Sequence, residues 1–264
     1  MKKIITVVVL LTTSMFSLQA QEGDQPVGLI TDRPDATEAP TTVPKSSLQV
    51  ETGTFFTNYE DGVLEENVIG YNTTLLRYGL SSRLELRVGW NFEETTINLN
   101  NQEIAKLNGF SPLLFGAKVA IFKEQGWMPE VGLIGHLFLP FTASSDYKPE
   151  YTSADFRFAF NHTLSEKSGL AYNIGGQYGG DSPELAYIYT IAYGYALTDQ
   201  LGMYVELYGD LPEDSRANHF WDAGLTYAVA PLVQLDATIG RSITEGQDLL
   251  LSAGVSFRID KNKQ

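Results

Sequence analysis

Arg83-Leu84-Glu85-Leu86-Arg87-Val88-Gly89-Trp90-Asn91-Phe92 alternates without a break. Leu84, Leu86, Val88, Trp90 and Phe92 fall on one face of an extended chain, and Glu85, Arg87, Gly89 and Asn91 fall on the other, because successive side chains in a strand point to opposite sides. One such strand fits a soluble sandwich with its polar face in water as well as a membrane barrel with its apolar face in lipid. The decision rests on how the pattern recurs along the chain.

From residue 48 onward, segments of about ten residues repeat this alternation between turn residues, which is the sequence signature of a transmembrane barrel. We read twelve strands, at about 47–58, 68–80, 83–93, 113–122, 128–139, 153–163, 168–178, 185–197, 201–209, 218–229, 232–241 and 249–259. Their connections sort by length. Short ones, such as Ser81-Ser82, Thr198 to Gln200 and Ala230-Pro231, alternate with longer ones, such as Tyr59 to Asn67, Glu94 to Pro112 and Pro140 to Thr152. Short periplasmic turns opposite long external loops are what outer-membrane insertion produces, and an even strand count returns both ends to one side. A sandwich has no reason to sort its loops in this way. The expected fold is therefore all-β, a transmembrane antiparallel β-barrel of twelve strands occupying residues 47–264.

The first twenty residues carry Lys2 and Lys3, then the apolar run Ile4 to Leu11, then smaller residues up to Ala20. This is the layout of a cleaved secretory signal, and its apolar part falls far short of the ~20 residues of a membrane-spanning helix. It predicts export to the outer membrane of a Gram-negative-type bacterium, with residues 21–46 as an extended N-terminal segment. The chain has 264 residues and no cysteine, so neither a disulfide framework nor a thiolate metal site is available. Without Lys2 and Lys3, 16 basic residues face 32 acidic ones, an excess of negative charge that argues against nucleic acid as a partner.

Aromatic residues gather toward strand ends, with Trp90, Phe92, Phe156, Tyr187 and Trp221 on the loop side and Trp127, Tyr193, Tyr195 and Tyr227 on the turn side. Two such girdles fit anchoring at the two membrane interfaces, where outer-membrane lipid is the expected partner. The last strand ends Ser252-Ala253-Gly254-Val255-Ser256-Phe257-Arg258-Ile259. That ending resembles the C-terminal signal by which the barrel assembly machinery accepts its clients.

Leu29-Ile30-Thr31-Asp32-Arg33-Pro34-Asp35-Ala36-Thr37-Glu38-Ala39-Pro40, followed by Val43-Pro44-Lys45 and by Leu48-Gln49-Val50-Glu51, closely resembles the outer-membrane transporter family labelled for the meta pathway of phenol degradation. Leu76-Arg77-Tyr78-Gly79-Leu80, Leu84-Glu85-Leu86-Arg87, Gly116-Ala117-Lys118 and Gly254-Val255-Ser256-Phe257-Arg258 look like it too. The resemblance implies a barrel that passively carries small solutes, apolar or aromatic ones among them, without naming phenol as the substrate. A non-conducting barrel that serves as a structural or surface-interaction protein through its loops is the alternative.

With apolar residues turned to lipid, the lumen receives Glu51, Arg77, Glu85, Arg87, Lys118, Glu130, Asp155, Arg157, Glu206, Asp222, Asp236 and Arg258. Their signs alternate between neighbouring strands, which favours ion pairs bracing the wall over a selectivity path, although both uses need these positions. Between residues 31 and 45, Pro34, Pro40 and Pro44 deny the backbone a strand ladder, while Asp32, Arg33, Asp35 and Glu38 cluster charge. We read this stretch as a plug folded back into the lumen, with a plain periplasmic leader as the alternative, and expect its charges to meet Glu51, Glu85, Arg77 and Arg87 on the first three strands. The three histidines, His136, His162 and His219, lie on different strands and no nucleophile motif surrounds them, His162 with Ser165 included, so neither catalysis nor a metal or other cofactor is expected. Glu60, Asp61, Glu65 and Glu66 form an acidic run best read as a solvated loop.

Overall fold

The computed structural model describes residues 28–261 apart from 182 and 245, so the predicted signal at 1–20 lies outside the described residues. Among the described residues thirteen strands follow one another: β1 (Leu48–Asp61), β2 (Leu64–Gly79), β3 (Leu84–Leu99), β4 (Gln102–Phe110), β5 (Leu113–Phe122), β6 (Glu130–Leu139), β7 (Ser153–Ser165), β8 (Ser168–Tyr178), β9 (Leu185–Ala196), β10 (Leu201–Pro212), β11 (Asn218–Ala230), β12 (Val233–Ser242) and β13 (Gln247–Ile259). Neighbours pair antiparallel throughout, and β1 closes on β13 from Leu48↔Ile259 to Tyr59↔Gln247. Closure leaves no free edge in the wall itself, which is what lets a sheet stand in hydrocarbon where no water can satisfy an unpaired backbone group.

The closed wall has twelve strands, and β4 stands outside it. The lower half of β3 pairs with β5, Leu84↔Val119 to Gly89↔Leu114, while its upper half pairs with β4, Phe92↔Phe110 to Leu99↔Gln102. The stretch from Glu94 to Pro112, read from sequence as a loop, is thus a hairpin rising above the wall. Asn100 and Asn101 turn it with φ of 52° and 62°, the left-handed pair that a two-residue hairpin requires and that asparagine tolerates. The expected loop from Tyr59 to Asn67 is likewise a continuation of β1 and β2 to a tight turn at Gly62. Above the membrane a hairpin has water on both faces, so it carries no apolar alternation and the sequence pattern stops before the strand does.

The cross-section inverts that of a soluble protein. Leu86, Phe115, Leu137, Phe156, Ile174, Val205, Leu207, Leu225, Leu235 and Leu251 are exposed around the outside, whereas Arg77, Glu85 and Lys118 are 0% exposed inside. Such a surface suits a solvent of hydrocarbon, in which burying charge inside and showing leucine outside is the stable arrangement. Trp127, Tyr193, Tyr195 and Tyr227 are exposed toward the short turns, and Phe156, Phe158, Tyr187 and Trp221 toward the loops, in agreement with the two girdles.

A charge placed on the outer face at mid-depth meets lipid. Val205→Arg is expected to cost roughly 2–4 kcal/mol in a denaturant titration of the vesicle-inserted protein. The wild type is expected to migrate faster on a gel before boiling than after it. A soluble monomer of equal strand content without detergent would contradict the fold.

Candidate functional site

Residues 28–45 enter the barrel beside the start of β1 and run around the inside of its wall before joining β1. Three prolines deny this segment a ladder of its own, yet its amides are buried and need acceptors. The wall supplies them. Asp32 N donates to Glu51 Oε2 at 3.0 Å, Ala36 N to Glu206 Oε2 at 2.8 Å, Glu38 N to Asn173 Oδ1 at 2.8 Å, and Val43 N to Glu85 Oε2 at 2.8 Å. Lys45 then bridges to Gly79 and the chain passes into β1. The segment forms a collar anchored from β1 through β10 to β12 and β13.

One side of the collar is a dense ionic knot. Asp32 is held by Lys118 Nζ at 2.8 and 2.9 Å, by Arg77 Nη1 at 3.2 Å and by Arg87 Nη2 at 3.2 Å. Arg77 also donates in parallel to both oxygens of Glu85, at 2.8 and 3.0 Å, and to Glu51 at 2.7 Å. Arg87 donates to Glu38, whose second oxygen lies 3.7 Å from Arg157. Burial by itself would push the Asp32 and Glu38 carboxyls up, but the surrounding cations, Arg77, Lys118 and Arg87 for Asp32 and Arg87 and Arg157 for Glu38, outweigh it and hold both below the ordinary carboxylate range.

Arg33 lies at the junction of β12, β13, β1 and β2, and Asp35 is turned toward β10 and β11. Arg33 Nη2 and Nε grip Asp236 on β12 at 2.9 and 3.4 Å, and Nη1 reaches Thr73 at 3.3 Å. The guanidinium lies against the Gly53↔Gly254 pair of β1 and β13, where an added Cβ would come within 2.6 Å and 2.5 Å of it. Only glycine leaves room there. Asp35 sits toward Glu206 and Asp222, themselves paired across β10 and β11. Burial first, then those two carboxylates, raise its carboxyl well above the usual range.

All twelve lumen candidates lie on the inner face, but they do different things. Arg77, Arg87, Lys118 and Asp236 bind the collar's charges, Glu51 and Glu85 accept from its Asp32 and Val43 amides and hold Arg77, and Glu130 and Glu206 accept from Thr41 and Thr37. Arg258 donates to the Gly28 carbonyl and pairs with Asp260. Asp155 pairs with His136 and Arg157, while Asp222 keeps Oδ1 without a partner. The expected ionic partners of Arg33 and Asp35 are corrected: Arg33 pairs with Asp236 on β12 and Asp35 sits toward Glu206 and Asp222, and neither meets Glu51, Glu85, Arg77 or Arg87, because closure brings the end of the chain next to its beginning. Gln49, Asn173 and Thr190 were missed. Each is buried at a lumen-facing position, and strand parity would have found them had uncharged residues been considered. His162 stacks on Tyr172 while Ser165 bonds to Ser168, so these two form no nucleophile–base pair.

The family model described as "Putative MetA-pathway of phenol degradation" matches residues 31–259. No curated protein matches the sequence. Among solved structures, an outer membrane channel from Pseudomonas putida F1 superposes with a TM-score of 0.66 at 15% identity, over 83% of this chain and 97% of that one. The translocator domain of autotransporter NalP from Neisseria meningitidis gives 0.53 at 11% identity, over 82% and 90%. The KdgM porin gives 0.51 at 10% identity, over 79% and 98%. At these identities the likeness is one of fold.

The raised Asp35 carboxyl opposes docking of the collar above the ordinary carboxylate range, fully so once the pH exceeds its raised value. The lowered Glu38 and Asp32 carboxyls favour docking there, and their contribution is lost only as the pH falls through their depressed values. Asp35→Asn is therefore expected to raise the thermal transition of the detergent-solubilised protein at about pH 7, with the gain gone by about pH 3.5. An equal or lower transition at neutral pH would contradict this placement.

Proposed function

We infer, from a chain that belongs to the MetA-pathway of phenol degradation family and folds as a closed barrel, a passive outer-membrane channel for small solutes whose bore is narrowed by its own N-terminal collar. The observation that carries this reading is that the lumen is lined by charge and then filled by a segment of the same chain, instead of by wall side chains alone. Twelve strands enclose more room than the eight that side chains can fill. A collar pinned to most of the wall strands takes up much of that surplus. The Pseudomonas putida neighbour is a channel, which supports the same use for this fold. Residues 31–45 act in this reading as a plug, and the lumen charges act first as its sockets and only secondarily as a filter for solutes.

Arg33 is the residue whose loss separates the plug from a passive leader. Removing it leaves Asp236 buried without its partner, a change that typically costs ~3–5 kcal/mol, so Arg33→Ala is expected to give noisy single-channel current from an assembled barrel. Deleting Thr31 to Lys45 is expected to keep the heat-dependent gel shift and to raise single-channel conductance. Unchanged conductance after the deletion would mean that the segment does not restrict the bore, and a closed wild type that stays closed would favour the interaction-protein reading.

A further inference from the structure

On the β10–β11 side of the lumen, negative charge is left without a cation. Glu206 on β10 and Asp222 on β11 stand directly opposite each other, both buried, and the collar adds Asp35 to them. The other charges between residues 32 and 38 have opposites: Asp32 lies among Lys118, Arg77 and Arg87, Glu38 between Arg87 and Arg157, and Arg33 on Asp236. Among the described residues no Lys or Arg pairs with Asp35, Glu206 or Asp222, and the collar's one guanidinium, Arg33, is already held by Asp236. Asp35 faces Glu206 and Tyr204 on β10, Asp222 on β11 and Asp32 on its own segment, none of which is positive.

The three carboxyls differ in how far they are satisfied. Glu206 accepts from Ala36 N on one oxygen and from Thr37 Oγ1 on the other. Asp222 is 3% exposed and keeps Oδ1 without a partner. Asp35 is half-buried, so part of it stays open to the space that the collar leaves. Like charges set this close in a medium poorer than water do not all ionise unless something positive joins them. Either protons or a cation must do so. Among the described residues no three acidic or histidine side chains are gathered closely enough to hold a bare metal ion, so a cation here keeps its water and can leave again, as conduction requires. The loop-side rim favours the same sign, since Glu60, Asp61, Glu103, Asp146, Glu150 and Asp214 are exposed there and an acidic mouth concentrates cations.

We propose that the acidic side of the lumen is a transit site for small hydrated monovalent cations, with Asp35 setting the preference for cations over anions and Glu206 and Asp222 standing as the charge behind it. Passage of the cation through the barrel rests on the channel reading, whereas its attraction to Asp35 does not. Burial and the two neighbouring carboxylates hold the Asp35 carboxyl up, so it becomes charged, and draws a cation, only as the pH rises through its raised value. Protons and cations compete for the same place.

The test uses the full barrel in two settings. In detergent, the thermal transition at about pH 9 is compared in NaCl and in N-methyl-D-glucamine chloride of equal ionic strength, and a transition a few degrees higher in Na⁺ is expected because only the small cation fits beside Asp35. Asp35→Asn is expected to remove most of that difference, and so is a shift of the wild type to about pH 5. In planar bilayers under a KCl gradient, the reversal potential at about pH 9 is expected to show K⁺ preferred over Cl⁻ by about fivefold, falling to about twofold in Asp35→Asn. Asp199→Asn, on the exposed turn between β9 and β10, is expected to change neither readout. Equal transitions in the two salts would mean that protons alone neutralise the acidic side and would overturn the proposal. A preference for Cl⁻, or a cation preference that Asp35→Asn leaves intact, would overturn it as well. A barrel that Na⁺ stabilises through Asp35 but that passes no current contradicts the channel reading and leaves the cation at Asp35 supported, while one that conducts with no dependence on Asp35 contradicts the site alone.

Discussion

Arg77, Arg87 and Lys118 project from adjacent strands of the wall into a space closed off from bulk water, and Asp32 lies among all three. Isolated charges in such a place carry a desolvation cost of several kcal/mol each. A wall that placed these cations inside without an acid from the collar would be left with excess positive charge, even with Glu51 and Glu85 beside them. Asp32 supplies the missing negative charge and its own amide closes the loop onto Glu51. The collar and the wall therefore depend on each other, and the rest of the segment is laid down around this point.

The two halves of the lumen solve the same problem differently. Around β2 to β7, cations from the wall hold acids from the collar. Around β9 to β12 the wall is acidic, and the collar meets it with backbone amides, a threonine hydroxyl and one guanidinium, leaving Asp35, Glu206 and Asp222 facing one another. The basic half is tight and the acidic half is strained at neutral pH. The Gly53↔Gly254 pair of β1 and β13 lies between the two halves, and without it Arg33 could not lie flat against the junction where the barrel closes.

The membrane-embedded strands were legible because lipid enforces alternation on every residue they contain. From Glu94 to Pro112 that enforcement ends, and the hairpin was hidden although Asn100-Asn101 announced its turn. The lumen side was legible for charged residues, since an arginine at an apolar-facing position would be too costly. Which charge meets which was not. Arg33 is near Arg77 and Glu85 in sequence but pairs with Asp236 some two hundred residues away, because a barrel joins first and last strands and the sequence holds no local sign of how far the segment climbs. Proline spacing gave the segment its irregular backbone, but the acceptors of its amides appear only once the wall is closed.

The central claim is that residues 31–45 lie inside the barrel against the far wall, and the chain's lack of cysteine allows a direct check. Thr37 Oγ1 and Thr190 Oγ1 are 2.7 Å apart, one on the collar and the other on β9. In the folded double variant Thr37→Cys/Thr190→Cys, mild oxidation should form an internal disulfide, seen on a denaturing gel as a mobility change that reductant reverses and that neither single variant shows. Two thiols that stay unlinked after oxidation, both still open to a water-soluble maleimide in the folded barrel, would place the segment outside the lumen and contradict the account.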